Sequence, residues 1–173
     1  MQAFKRRGQA VEAHLDNTEI TIVAQLIVEF AQLSRQIDQG TDDDIFGAVT
    51  GDNDTFAWRD DPALARLFPD AYRNDKAAST DFLRYTCAEQ AAEKMRAATT
   101  VAEDLGDADD GWVTVPPGHI DDWLVTMTNL RLVLAARLGI EHDGDVERLT
   151  DGNGLAEVFN WFGWMQESLL TAL

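Results

Sequence analysis

The sequence predicts a mainly α-helical single domain: a bundle of four longer helices and one short helix, with a small N-terminal β-hairpin. Three observations carry that prediction. Apolar residues fill 45% of 173 positions, enough for one buried core in a chain too short for two ordinary domains. They recur at three- and four-residue spacing through the long segments, the period of a helix. Glycine, proline and Asx residues punctuate those segments near their ends, where helix caps and breaks fall. One domain over residues 1–173 is therefore expected, with less than about one residue in eight in strands.

Residues 1–15 read as two extended pieces, Ala3 to Arg7 and Gln9 to Leu15, around Gly8. In the second, Val11, Ala13 and Leu15 alternate with Glu12 and His14, which is the two-residue period of a strand. Asp16 and Glu19 form a capping box for a helix that runs to Gln39 and is closed by Gly40. A polar stripe, Thr21, Gln25, Glu29, Gln32 and Gln36, runs along this helix. Ile20, Ile22, Val23, Leu26, Ile27, Val28, Phe30, Leu33 and Ile37 fill most of the remaining circumference, so it is predicted to be the central helix, buried against several neighbours. Residues 40–60, rich in Asp, Gly and Thr, read as an acidic loop.

Asp61 and Pro62 start a short helix through Leu67, with proline in the first turn where its missing N–H costs nothing, and Pro69 ends it. The next helix opens at Asp75 or Ser79 and runs to Leu105 before Gly106. Its apolar face is read as Phe82, Tyr85, Ala88, Ala92, Met95, Thr99 and Ala102. Trp112 to Val115 is a candidate short strand. A helix from about His119 to Leu138 follows, with Asp121 and Asp122 in the first turn and Arg137 in the last, as the helix dipole favours. Its core stripe is Ile120, Trp123, Leu124, Met127, Leu130 and Leu134. A polar loop from Glu141 to Asn153 leads to the final helix, Gly154 to about Thr171, whose face is Leu155, Val158, Phe159, Phe162, Met165 and Leu169.

Charge narrows the function. Asp and Glu number 31 against 14 Lys and Arg, a net charge of −17, and such a surface repels phosphate. Direct DNA binding is not expected, the only basic run being Lys5, Arg6 and Arg7. The acidity fits solubility, salt adaptation or contact with basic protein partners. Cys87 is the only cysteine, so an intramolecular disulfide and a thiolate zinc cluster are both excluded, and a reducing compartment fits. With no apolar signal region and no stretch long enough to span a bilayer, a cytoplasmic location is expected.

No catalytic, cofactor-binding or metal-ligating constellation emerges. His14, His119 and His142 lie on separate elements. Asp107, Asp109 and Gly111 resemble the start of a calcium loop, but the glycine is one position early and Gly118 stands where the bidentate Glu belongs. Asp151, Gly152, Asn153 and Gly154 lack the lysine of a phosphate-binding loop and read as a turn with a helix cap. Cys87 lies within a helix without a nucleophile signature, and a redox role is not expected of it. On the last helix Trp164 falls opposite Leu155, beside Glu157, Asn160, Glu167 and Thr171, while Trp161 sits at the edge of the core face. Either a second layer covers Trp164, or Trp164 and Trp161 are a partner-binding anchor.

Three blocks carry a resemblance: Asp61-Pro62-Ala63-Leu64-Ala65-Arg66-Leu67-Phe68-Pro69-Asp70-Ala71-Tyr72; Asn129-Leu130-Arg131-Leu132-Val133-Leu134 with Arg137-Leu138-Gly139; and Trp161-Phe162-Gly163-Trp164-Met165-Gln166-Glu167-Ser168-Leu169. Together they are similar to an actinobacterial family long filed as a domain of unknown function (DUF twenty-seventeen), also named AosR, the actinomycete oxidative-stress regulator. The eleven Arg against three Lys agree with a GC-rich source. The resemblance implies a non-enzymatic transcription regulator that responds to oxidants and works with a sigma factor or RNA polymerase. It also implies a genomic setting beside the adaptor of the Clp protease, so a Clp-associated or other helical protein-interaction adaptor is the alternative, and a small-molecule enzyme the third. The family's redox role is attributed to a pair of cysteines. Here Cys87 stands alone, and that disulfide switch does not carry over.

Overall fold

The computed structural model describes residues 1–50, 56–146 and 153–173. Helix dominates, and a three-stranded antiparallel sheet lies at one side. Strands β1 (Gln2–Arg7) and β2 (Ala10–His14) form the predicted hairpin, pairing Arg7 with Ala10 across a tight turn in which Gly8 takes a φ of 66°. The third strand, β3 (Trp112–Val115), pairs with β2 so that Val11 faces Val115 and Ala13 faces Val113. The alternation read in β2 is what the pleat requires. Phe4, Val11, Ala13, Leu15, Val113 and Val115 are all buried, so one sheet face closes the core and the other meets solvent.

Helix α1 (Asn17–Thr50) starts at the capping box. The Glu19 N–H donates to Asp16 Oδ1 at 2.9 Å and the Asp16 N–H to Glu19 Oε2 at 2.8 Å, which satisfies two donors that the first turn leaves free. Glu19 also pairs with the chain's amino terminus. Two expectations fail on this helix. It does not stop at Gly40 but continues to Thr50, so residues 41–50 are helix rather than acidic loop. A helical glycine costs about 1 kcal/mol against alanine, a penalty that does not amount to a stop. Residues 51–55 of that expected loop lie outside the described residues, and 57–60 form a 3-10 turn.

Nor is α1 the central helix. It buries one face, Val23, Ile27, Phe30, Leu33, Ser34 and Ile37, and leaves Val28 55% exposed. The central position belongs to α4 (Ile120–Arg137), which packs against α1, α2 (Pro62–Leu67), α3 (Lys76–Gly106) and α6 (Gly154–Ala172). Trp123, Met127, Leu130 and Leu134 form its apolar spine, while Asp122, Thr126 and Asn129 are buried beside them. A hydrophobic surround in sequence marked the wrong helix because the true centre carries buried polar side chains.

The caps explain the remaining boundaries. Asp61 accepts from the Ala63 N–H at 2.8 Å at the start of α2, and Asp75 from the Ala78 N–H at 2.9 Å at the start of α3. Gly139, at a φ of 68°, closes α4 while Ile140 N–H reaches back to the Ala135 carbonyl at 2.9 Å. The polar loop before α6 contains a short helix, α5 (Asp143–Val146), and residues 147–152 lie outside the described residues. Asn153 then caps α6 by accepting from the Leu155 and Ala156 N–H groups.

Candidate protein-interaction surface

Helix α3 reverses its predicted face. Its buried residues are Ser79, Leu83, Cys87, Ala91, Ala97, Ala98, Val101, Asp104 and Leu105, a mostly small-residue stripe that lets neighbouring helices approach closely. The stripe read as core points outward: Phe82 is exposed and Tyr85 is 81% exposed. Tyr72, from the segment before α3, is exposed too and sets its ring edge-on to Phe82 at 6.4 Å. These three aromatic rings form a patch that sequence reasoning missed. The signal was present, since α3 carries two apolar stripes, and the larger side chains lie on the one that faces out.

The backbone around Tyr72 is held from both sides. Ser79 Oγ donates to the Tyr72 carbonyl at 2.9 Å and accepts the Tyr72 N–H at 3.0 Å. Arg59 pairs with Asp70 at 2.8 Å. These bonds fix the backbone that carries the Tyr72 ring.

On α6 the buried face is Ala156, Phe159, Phe162, Met165 and Leu169. Leu155, expected in that face, is exposed. Strand β1 packs on α6, and its Phe4 N–H approaches Ser168 Oγ at 3.5 Å. That sheet does not cover Trp164, which is 43% exposed among exposed Glu157, Asn160, Glu167 and Thr171. Trp161 differs: it is half-buried, edge-on to Phe162 at 5.3 Å, with its indole N–H buried. Of the two tryptophans only Trp164 presents a broad free surface.

The other singled-out residues are dispersed. Cys87 is fully buried on the inner face of α3. Arg6 reaches the carbonyls of Gly8 and Leu173, and Arg7 pairs with Glu12 at 3.1 Å, so both arginines of the basic run bind their own chain. Asp109, Asp110 and Gly111 form the turn into β3. Gly111 is fixed there, since its φ is 79° and an added Cβ would lie 2.5 Å from the Leu15 carbonyl oxygen.

One polar cluster joins α3 to α4. Asp104, nearly buried, accepts from Trp123 Nε1 at 2.8 Å and meets His119 Nδ1 at 2.9 Å. Beside it Arg96 grips Asp122 with two nitrogens at 2.9 and 3.1 Å. The hydrogen bonds from Arg96, with one from Thr100 and the charges of Arg96 and His119, outweigh burial and hold the Asp122 carboxyl below the usual carboxylate range. At the other end of α4, burial would raise Asp61, yet the hydrogen bond from Arg137 at 2.7 Å and the Ala63 N–H outweigh it, and its pKa is lowered as well. These ion pairs bind helix to helix. No group of three or more metal-ligating side chains occurs among the described residues.

Fold and surface together define an acidic, mainly helical domain with a small sheet and exposed aromatic side chains. Over residues 1–173 the chain matches the family model described as Domain of unknown function (DUF2017), and it belongs to that family. No curated protein and no solved structure gives a significant match. No described helix is long and apolar enough to cross a membrane.

Proposed function

We propose that the protein is a non-enzymatic regulator that works through protein contacts, as the oxidative-stress transcription regulators it resembles are held to do. The observation that carries the reading is a group of exposed aromatic rings, among them Tyr72, Phe82, Tyr85 and Trp164, on a chain of net charge −17. Exposed Tyr and Trp are the side chains that concentrate binding energy at interfaces, and an acidic surface accelerates encounter with a basic partner. A sigma factor or RNA polymerase, in a cytoplasm of actinobacterial type, is the partner that the resemblance supplies. Buried Cys87 has no second cysteine for an internal disulfide, so on this reading oxidant dependence enters through the partner.

Affinity purification of the tagged protein from its native cell, with and without peroxide, followed by mass spectrometry, tests the proposal. Co-purification of a sigma factor or polymerase subunit that is lost in Trp164→Ala or Tyr85→Ser supports it. Recovery of Clp components instead would replace transcription regulation by an adaptor role.

A further inference from the structure

α1 and α3 pack together, and between them lies a cleft of about 230 Å3 lined by Ala31, Ser34, Arg35, Ala91, Ala92 and Met95. Its walls are small and apolar, with one adaptable thioether side chain. Two polar groups break that pattern. Ser34 is only 4% exposed, yet its Oγ has no hydrogen-bond partner. Helical hydroxyls usually bond the carbonyl one turn back, as those of Thr21, Thr86, Thr99 and Thr128 do in this molecule. Ser34 does not, and a buried hydroxyl left unbonded is a cost folded chains avoid. The second group is Arg35, which is exposed and enters no ion pair among the described residues.

We propose that this cleft binds a short aliphatic carboxylate, with the Ser34 hydroxyl and the Arg35 guanidinium donating to the carboxylate and Ala31, Ala91, Ala92 and Met95 enclosing the tail. A carboxylate is an acceptor only, so it satisfies both donors at once. An alcohol would serve Ser34 and leave Arg35 unused. The cleft, about 230 Å3, has room for a short aliphatic tail such as that of hexanoate.

The test is a methyl-resolved NMR titration of the full chain with hexanoate, hexan-1-ol and acetate, following Ala31, Ala91, Ala92 and Met95. Saturable shifts with hexanoate, at least about tenfold weaker with either control, are expected. Arg35→Gln should weaken hexanoate binding about tenfold. Ala92→Leu, at an exposed position that tolerates the larger side chain, should block the cleft while leaving the rest of the spectrum unchanged. Acetyl-Ala-Ala-Leu, which ends in a carboxylate on a bulkier body, separates a free acid from a peptide terminus. Absence of saturation up to about 10 mM hexanoate, equal response to acid and alcohol, binding of the peptide alone, or affinity unchanged in both variants would overturn the proposal.

Discussion

Trp164 is exposed and Cys87 is buried, and their substitutions should separate binding from stability. Trp164→Ala removes a ring that is 43% exposed. It should weaken partner binding by about 2 kcal/mol or more while moving the melting temperature little. Calorimetric titration against the captured partner and a thermal melt check both halves, and a large fall in melting temperature would mark the ring as structural. Cys87, buried on the inner face of α3, should resist thiol reagents in the native protein and react fully in denaturant. Cys87→Ser should cost about 1 to 2 kcal/mol by placing a hydroxyl in the core. Rapid labelling of the folded protein would contradict the burial.

At the scale of elements, α3 offers the sharpest contrast between adjacent residues. Leu83→Ala should destabilise the fold by roughly 2 to 5 kcal/mol, because it empties a buried site. Phe82→Ser with Tyr85→Ser should leave the urea midpoint nearly unchanged, since both rings face out. Equal losses would mean that the outer stripe is packed. The same helix shows where the sequence was legible. Caps were plain in Asp16 with Glu19, in Asp61 before Pro62, and in Asn153, because an N-cap depends on residues within one turn. The face of α3 was not, since Ser79, Cys87, Ala91 and Ala98 are too small to advertise burial and their packing is fixed by α1 and α4. Trp161 and Trp164 could be named from periodicity alone, whereas Tyr72 joins Phe82 only through the turn between α2 and α3. The extension of α1 beyond Gly40 was hidden by taking a permissive residue for a terminator.

Across the whole molecule, acid should act through the carboxylates that link helices. Asp61 and Asp122 both have folded pKa values below the usual 3.8. Their ionised forms are favoured by folding, so their contribution is full above that value and is lost as the pH falls through the lower folded one. A variant carrying Asp61→Asn and Asp122→Asn should melt below the parent at neutral pH, with the gap closing below about pH 4. Melting curves from pH 7 to pH 2.5, about the range of carboxylate titration, check this, and a gap independent of pH would assign the loss to packing.

The pairing of β2 with β3 also governs the order in which the chain can fold. Val11 and Val115 are neighbours in space across roughly one hundred residues of sequence, and closing so long a loop costs entropy before any strand contact returns it. On a ribosome the hairpin is made before α1, α2 and α3, and its β2 edge stays unpaired until β3 has followed them. The β2–β3 amides should therefore gain hydrogen-exchange protection later in refolding than those of α3 or α4. The hairpin is then made well before the strand that secures it, and its open β2 edge is exposed to mispairing in the interval.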